Sequence, residues 1–257
     1  MKLSLSARIL QGAPPMSTVE FVNLARDTGF DMVELRANQV APDSSDADLA
    51  ELRQSLETAG IGVSMIVIGG NNPLQPASLA SWVAVARALG AVNLRASGTV
   101  EELQRGAQSL PSDMRLVCQM HSGSAFENIS LAAESLARIP CDRFGLMPEP
   151  ANLLFAGERW SQELFAPLGN RIFGCNAQSI ALDPQSDTKV EMNDGRRVPF
   201  ARLDWPANTA LDFPGFVAAL QASSYDGFVN FIDPCHPTMT VRELAASTAK
   251  YARQYLD

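Results

Sequence analysis

The feature that most constrains the fold is a regular alternation of short apolar segments with helical patterns along the 257 residues of the chain. Eight segments have the length and composition of strands, and the intervals between them are too short for a domain linker. Such alternation predicts a parallel sheet covered by helices, and eight repeats in about 250 residues are typical of a closed barrel. The predicted strands are 3–8, 31–36, 62–68, 91–95, 116–121, 143–147, 171–176 and 227–232.

Start and stop signals bound the predicted helices. Ser17 and Glu20 form a capping box, and Gly60 ends a helix that begins at Asp46. Ser124 to Glu127 reads as a second capping box, which predicts a helix opening directly after the fifth strand. The other predicted helices are 76–89, 99–108, a helical region up to 165, 212–223 and 241–255. A polar insert of about 179–208 follows the seventh strand, and 190–198 has the turn chemistry of a small hairpin.

These patterns together predict an α/β protein made of one domain, residues 1–257, folded as a (β/α)8 TIM barrel with a polar hairpin insert after strand 7. The main competitor is an open doubly wound sheet. That fold favours a glycine-rich phosphate loop after the first strand, and Arg8 to Pro15 is not such a loop.

Composition narrows the classes of partner. The net charge is −8 without any run of Lys or Arg, which disfavours nucleic acid and anionic membranes. The sequence shows no signal peptide and no apolar stretch of membrane-spanning length. The four cysteines, at 118, 141, 175 and 235, are widely spaced, so they are interpreted as thiols of a reducing compartment. We therefore expect a cytoplasmic protein with a small-molecule substrate, and homo-oligomerisation stays open.

Polar side chains gather at the ends of the predicted strands. The fifth strand is the clearest case, because alternation places Val117, Gln119 and His121 on one face and Gly123 then ends the run. Polar groups inside a barrel are costly unless they are paired or used, and barrel active sites lie at the carboxyl ends of the strands. The inward sets are Ser4/Ser6/Arg8, Glu34/Arg36, Asn93/Arg95, Gln119/His121, Met147/Glu149, Asn176/Gln178 and Asn230/Ile232. For Glu34, in mid-strand, we favour a buried ion pair with Arg36 or Arg95.

The segments 29–35, 89–95 and 211–213, with the ending 224–228, resemble the xylose isomerase-like barrels along the whole chain. That group includes sugar-phosphate isomerases and epimerases and the barrel-type apurinic endonucleases. The resemblance implies one divalent metal, Mn²⁺, Mg²⁺ or Zn²⁺, held by a Glu, an Asp, a His and a second Glu from the fifth to eighth strands. An endonuclease is rejected, because its multi-zinc cluster needs more than the chain's two histidines.

The implied metal ligands are mostly replaced in this sequence. Their positions fall on Gln119, Glu149, Asn176 and Ile232, so that one carboxylate remains beside two amides. A rearranged metal site would use His121, Glu149, Asp233 and His236. A histidine in a loop, such as His236, is more often a surface residue than a metal ligand.

Two hypotheses for the function follow. The first is a sugar or sugar-phosphate isomerase or epimerase that transfers a proton next to a carbonyl, with Glu149 or His121 as the catalytic base. Substrate-binding candidates are Arg8, Arg36, Arg95, Gln119, Asn176, Gln178 and Asn230. Guanidinium groups at three strand ends suit a carboxylate or phosphate, so the substrate is expected to be hydroxylated and anionic. The second hypothesis is a non-catalytic ligand-binding barrel that has lost the family's metal chemistry.

Overall fold

A computed structural model describes residues 1–235 and 237–256 and contains the predicted barrel. Seven of its parallel strands are β1 Lys2–Ser6, β2 Met32–Arg36, β3 Gly62–Val67, β4 Asn93–Arg95, β5 Arg115–Gln119, β6 Phe144–Met147 and β7 Cys175–Ala177. The eighth is β11 Phe228–Phe231, which lies between β1 and β7 in the strand order β6-β5-β4-β3-β2-β1-β11-β7. A parallel bridge joins Leu146 of β6 to Ile172, in the segment that leads into β7, so the sheet is a nearly closed barrel.

The helices alternate with these strands as predicted. Their bounds are α1 Thr18–Thr28, α2 Asp46–Ala59, α3 Pro76–Ala88, α4 Val100–Ser109, α5 Ile129–Ala137, α6 Pro150–Phe155, α7 Phe213–Ala222 and α8 Val241–Leu256. The capping box of Ser17 with Glu20 is present, and Gly60 closes α2 in the left-handed conformation. No helix of the described residues has both the length and the apolar character needed to cross a membrane.

One predicted helix start is wrong, because its polar residues have other partners. Ser124 donates its hydroxyl to the His121 carbonyl, and the Glu127 carboxylate accepts from the Gly123 amide at 2.7 Å. Neither side chain caps α5. The Asn128 side chain caps this helix instead, so α5 begins at Ile129 and residues 124–128 belong to the loop before it.

The seventh predicted strand is shorter than expected and begins later. Phe173 lies so close to Gly145 of β6 that a Cβ on that glycine would approach the Phe173 ring to 2.3 Å. Gly174 is equally crowded, because its added Cβ would lie 2.8 Å from Phe228. The backbone of this segment still bonds to β6, where the Phe173 amide donates to the Leu146 carbonyl at 3.0 Å, but regular strand pairing with β11 begins only at Cys175.

The insert after β7 forms a small antiparallel sheet, which confirms the predicted hairpin. It consists of β8 Ile180–Leu182, β9 Lys189–Glu191 and β10 Arg197–Arg202, in the order β8-β10-β9. Ile180, Met192 and Phe200 pack against Ala151 and Phe155 of α6. This apolar contact fixes the insert at the rim of the barrel where the strands end.

A second contact ties the insert to the loop after β5. The buried Glu127 carboxylate that accepts from Gly123 also accepts from the Asn193 amide at 2.7 Å. The Asn193 side chain returns a hydrogen bond to the Ser124 carbonyl at 2.7 Å. The insert is thus held from two sides, by α6 and by this loop.

Candidate functional site

A buried carboxylate, Glu34, organises the polar interior of the barrel. One of its oxygens accepts from the Ser6 hydroxyl at 2.5 Å and from Arg36 Nε at 2.9 Å. The other accepts from Arg95 Nη1 at 3.3 Å and from Asn230 Nδ2 at 2.9 Å. Glu34 itself is fully buried. The predicted ion pair is confirmed, and Glu34 pairs with both arginines rather than with one.

Amide side chains extend this network around the barrel. Gln119 Oε1 accepts from Arg95 Nη2 and, at 3.0 Å, from Asn176 Nδ2. Asn176 Oδ1 in turn accepts from Asn230 Nδ2 at 2.9 Å. Burial lowers the pKa of Arg95 and the charge of Glu34 opposes that effect. Two guanidinium groups therefore share one carboxylate, and the cluster keeps an excess positive charge.

Strand direction places this polar cluster at the mouth of the barrel. Val117 and Phe228 precede Gln119 and Asn230 by two residues on the same strands, and they belong to a buried apolar cluster. The carboxyl-terminal half of the interior is thus polar while the half beneath it is apolar. Arg36 and Arg95 keep 27% and 14% of their side chains exposed, so neither side chain is completely enclosed by the network.

Glu149 lies at the same end of the barrel, fully buried, as the residue that caps α6. One of its oxygens accepts from the Ala151 amide at 3.0 Å and the Gln178 amide at 3.2 Å. The other accepts from the Asn152 amide at 2.9 Å and from Asn152 Nδ2 at 2.5 Å. Burial raises the pKa of Glu149 to about 7, outweighing the backbone hydrogen bonds that favour the ionised form. The contacts of this carboxylate are those of a structural cap.

A second group of charges surrounds Gln178. Its Oε1 accepts from Arg8 Nη1 at 3.2 Å and from Arg202 Nη1 at 2.9 Å. Asp233 lies nearby, where its oxygens accept from the Ser179 amide at 2.9 Å and from the indole nitrogen of Trp205 at 2.8 Å. Burial raises the pKa of Asp233, while the charges of Arg202 and Arg8 oppose that rise.

Sequence reasoning placed Arg8 and Gln178 at the mouth but missed Arg202. Arg202 belongs to the insert, and its position depends on the pairing of β10 with β8, where Arg202 lies opposite Ile180. An arginine at the end of a strand of the insert was the only sign in the sequence that Arg202 could belong to the site. Its position at the mouth follows only from the way the insert folds over the barrel rim.

His121 stands apart from the buried network. It follows the end of β5, its side chain is exposed, and its Nδ1 lies 2.7 Å from the Ser122 carbonyl. A carbonyl oxygen only accepts, so Nδ1 carries the proton when the ring is neutral and Nε2 presents a lone pair. Alternation placed His121 on the inward face, but regular strand structure ends at Gln119 and the exposed His121 lies two residues further, directly before the turn at Ser122.

No family model and no curated protein matches the chain. Solved structures do match it. A D-psicose 3-epimerase, crystallised in the presence of D-fructose, is 12% identical, with a TM-score of 0.70 over 100% of this chain and 99% of its own. A xylose isomerase domain protein from Alicyclobacillus acidocaldarius subsp. acidocaldarius is 16% identical, with a TM-score of 0.72 and coverage of 100% and 98%. The IolI protein, with a bound zinc atom, is 16% identical, with a TM-score of 0.71 and coverage of 100% and 98%.

This chain has the same TIM-barrel fold as these proteins. With identities of 12% to 16%, the likeness establishes architecture, and the chemistry of the mouth has to be derived from its own side chains.

The side chains at the positions of the implied metal ring do not fit a divalent cation. Gln119 Oε1 already accepts from the Arg95 guanidinium, and Asn176 Oδ1 accepts from another amide. Both oxygens of Glu149 face N–H donors. Ile232 is a buried apolar residue. In this barrel, the Arg95 guanidinium donates to the side chain at one of the positions from which a metal ligand would extend.

The rearranged metal site is also not assembled by the described residues. Within residues 1–235 and 237–256, no three His, Cys, Asp or Glu side chains come together as a metal site would require. His121 is exposed, and the oxygens of Asp233 are held by Ser179 and Trp205. His236 lies outside the described residues.

We expect protein purified without added metal to contain well below one tightly bound divalent ion per chain. The reason is that amides and a capped carboxylate are poor replacements for a ring of charged ligands. Elemental mass spectrometry of dialysed protein measures this content. Stoichiometric zinc or manganese that disappears in a Glu149→Gln variant would contradict the prediction.

Proposed function

We propose that the mouth of this barrel binds a small hydroxylated anion that carries a carbonyl group, and that the protein is an isomerase or epimerase acting next to that carbonyl. The observation that carries the proposal is the pair Arg36 and Arg95, which share Glu34 and keep part of their side chains exposed at the barrel mouth. Buried amides at Gln119 and Asn176 adjoin them and suit hydroxyl groups. The xylose isomerase-like fold, which the D-psicose 3-epimerase shares, supports the same class of reaction.

The reaction would proceed through an enediolate. A base removes the proton from the carbon next to the carbonyl, and the electron pair moves onto the carbonyl oxygen. For isomerisation the proton returns to the former carbonyl carbon, while the hydroxyl proton of the neighbouring carbon moves to the other oxygen and leaves a new carbonyl there. For epimerisation a proton returns to the original carbon from the opposite face. The developing negative charge needs a preorganised cation, which the guanidinium groups of Arg36 and Arg95 would supply without reorganisation.

His121 is the better of the two candidate bases. Its Nε2 lone pair is exposed, whereas the Glu149 carboxylate is buried and faces N–H donors on both oxygens. We assign Glu149 the role of holding α6 and Gln178 in position. Its pKa of about 7 would suit a base, but its burial leaves no path for a substrate carbon.

We expect His121→Gln to lower the rate of proton transfer by at least about 100-fold, the usual contribution of a general base. The side chain is exposed, so the free energy of unfolding should change by less than about 0.5 kcal/mol. The measurement is deuterium incorporation from D2O into a panel of ketoses, aldoses, their phosphates and sugar acids, followed by NMR in the presence of EDTA. Unchanged incorporation in the variant would show that another group is the base.

We expect Arg95→Met to weaken binding of a phosphorylated sugar by roughly 1.5–3 kcal/mol, the value of one charged hydrogen bond. Methionine keeps an apolar stem in the space of the arginine stem. Calorimetric titration measures the loss, and Arg53→Met, which removes an exposed arginine on α2, serves as the control. A variant that changes only the thermal stability would show that Arg95 is structural.

The second candidate function is a non-catalytic ligand-binding barrel. The hydrogen bonds of Glu149 favour it, because both oxygens of this carboxylate are engaged by N–H donors and it cannot serve as the base at the mouth. The deuterium experiment separates the two functions. Binding of an anionic sugar without exchange of any carbon-bound hydrogen would establish the binding barrel and overturn the isomerase or epimerase.

A further inference from the structure

Two arginines at the rim of the mouth, Arg8 and Arg202, share one neutral acceptor. Both guanidinium groups donate to Gln178 Oε1, so both nitrogens lie within hydrogen-bond reach of a single point. None of the ion pairs among the described residues involves Arg8 or Arg202. An amide oxygen bears only a partial charge and does not neutralise two cations.

The surroundings offset only part of this charge. The buried carboxylate of Asp233 attracts Arg8 and Arg202, but it forms an ion pair with neither and its oxygens accept from Ser179 and Trp205. One carboxylate does not neutralise two guanidinium groups, and the remaining charged neighbours of Arg8 are Arg36 and Arg95. Burial, and then repulsion from Arg202 and Arg36, lower the pKa of Arg8. Like charges held together in this way create a local potential that attracts an anion.

The structure also fixes the positions of the shared acceptor and of Arg202. Gln178 is buried, and its backbone amide donates to Glu149. The Arg202 guanidinium carbon lies 5.6 Å from the centre of the Phe200 ring, and Phe200 itself packs on Phe155 of α6 at 5.2 Å between ring centres. The insert thus presents Arg202 to the rim from a sheet anchored on the barrel.

We infer that Arg8 and Arg202 form a second anion subsite, which holds the terminal phosphate of a phosphorylated, hydroxylated substrate whose carbonyl end faces Arg36 and Arg95. This inference rests on the proposed function and specifies its substrate class. A phosphate monoester presents three oxygens, enough for two guanidinium groups to bind in paired fashion, whereas one guanidinium already saturates a carboxylate. Gln178 Oε1 is the acceptor that one phosphate oxygen would replace.

The test is calorimetric titration of inorganic phosphate into the full chain in EDTA. Wild type should bind phosphate, and Arg202→Met should weaken that binding at least about tenfold, through loss of charged hydrogen bonds. Arg197→Met is the matched control, because it removes one exposed arginine from the same strand β10, and it should stay within about twofold of wild type.

Gln178→Glu is a second variant with an opposite expectation for stability. The introduced carboxylate would pair with both guanidinium groups, so phosphate affinity should fall at least about tenfold while the melting temperature rises. Wild type that binds no phosphate, or Arg202→Met that binds it as wild type does, would overturn the subsite.

The outcomes separate this inference from the proposed reaction. Phosphate binding that depends on Arg202, without deuterium exchange on any sugar of the panel, would leave the subsite standing and overturn the reaction. Exchange on neutral sugars, with phosphate affinity equal in wild type and Arg202→Met, would overturn the subsite and support the reaction.

Discussion

Replacing Glu34 with glutamine should lower the free energy of unfolding by about 3 kcal/mol, because it removes the carboxylate shared by two arginines. Glu34 is fully buried and accepts from Arg36, Arg95, Ser6 and Asn230. Glutamine has nearly the same shape, but its amide nitrogen cannot accept from a guanidinium group. The partial exposure of Arg36 and Arg95 keeps the loss towards the lower end of the range for broken buried ion pairs.

Urea unfolding measures this loss, and Glu57→Gln is its control. Glu57 pairs with Arg53 at an exposed i,i+4 position of α2, where the loss should be below about 0.5 kcal/mol. Phosphate in the buffer should restore part of the stability of Glu34→Gln, since an anion would then face the two arginines. A loss below about 1 kcal/mol would contradict the central role of Glu34 in the network.

The stability of the protein should fall as the pH rises from about 5 to about 8. Burial raises the pKa of Glu149 from its ordinary 4.5 to about 7 and raises that of Asp233 in the same direction. Between the two pKa values the folded chain retains a proton that the unfolded chain has released, so raising the pH favours unfolding. Glu149 alone would contribute a decrease of up to about 3 kcal/mol across this window.

Urea unfolding at a series of pH values tests this, with Glu149→Gln as the comparison. The variant lacks the titrating group, so its stability should depend less steeply on pH between 5 and 8 than that of wild type. Exposed carboxylates with lowered pKa values, such as Glu20 and Glu102, lose their contribution only at more acidic pH and do not mask the effect. A wild-type profile that rises over this window would contradict the assignment.

Periodicity alone predicted the architecture of the barrel. The bounds of α2 match the prediction, and every barrel strand falls within or beside its predicted segment, because both patterns depend on local burial. The start of α5 was wrong for a tertiary reason. Glu127 looks like a capping residue in sequence, but its carboxylate accepts a hydrogen bond from the amide of Asn193, which lies in the insert 66 residues away.

The site was predictable where a side chain lies on a regular strand. The period of two placed Glu34, Gln119, Asn176 and Asn230 inward, and they hydrogen-bond to one another or to shared partners. The period of two did not hold past the strand ends, where regular strand geometry stops. His121 lies two residues beyond β5 and is exposed.

A local helix cap and a contact between distant segments explain the remaining differences. Glu149 had the inward position of a catalytic carboxylate, yet Pro150 begins a helix directly after it and turns it into a cap. Arg202 reaches the mouth only because the insert folds over the rim. The position of Arg202 therefore depends on how two distant segments pack together, and the spacing of residues along the sequence does not predict that packing.

The central claim is that arginines, rather than a divalent metal, receive the ligand at this mouth. The most direct measurement is calorimetric titration of EDTA-treated protein with a ketohexose 6-phosphate and, separately, with the same ketohexose lacking the phosphate. The phosphorylated sugar should bind at least about tenfold more tightly without any metal, as expected when charged hydrogen bonds are gained. Equal affinities for the two sugars, or binding that appears only after Mn²⁺ or Zn²⁺ is added, would contradict it.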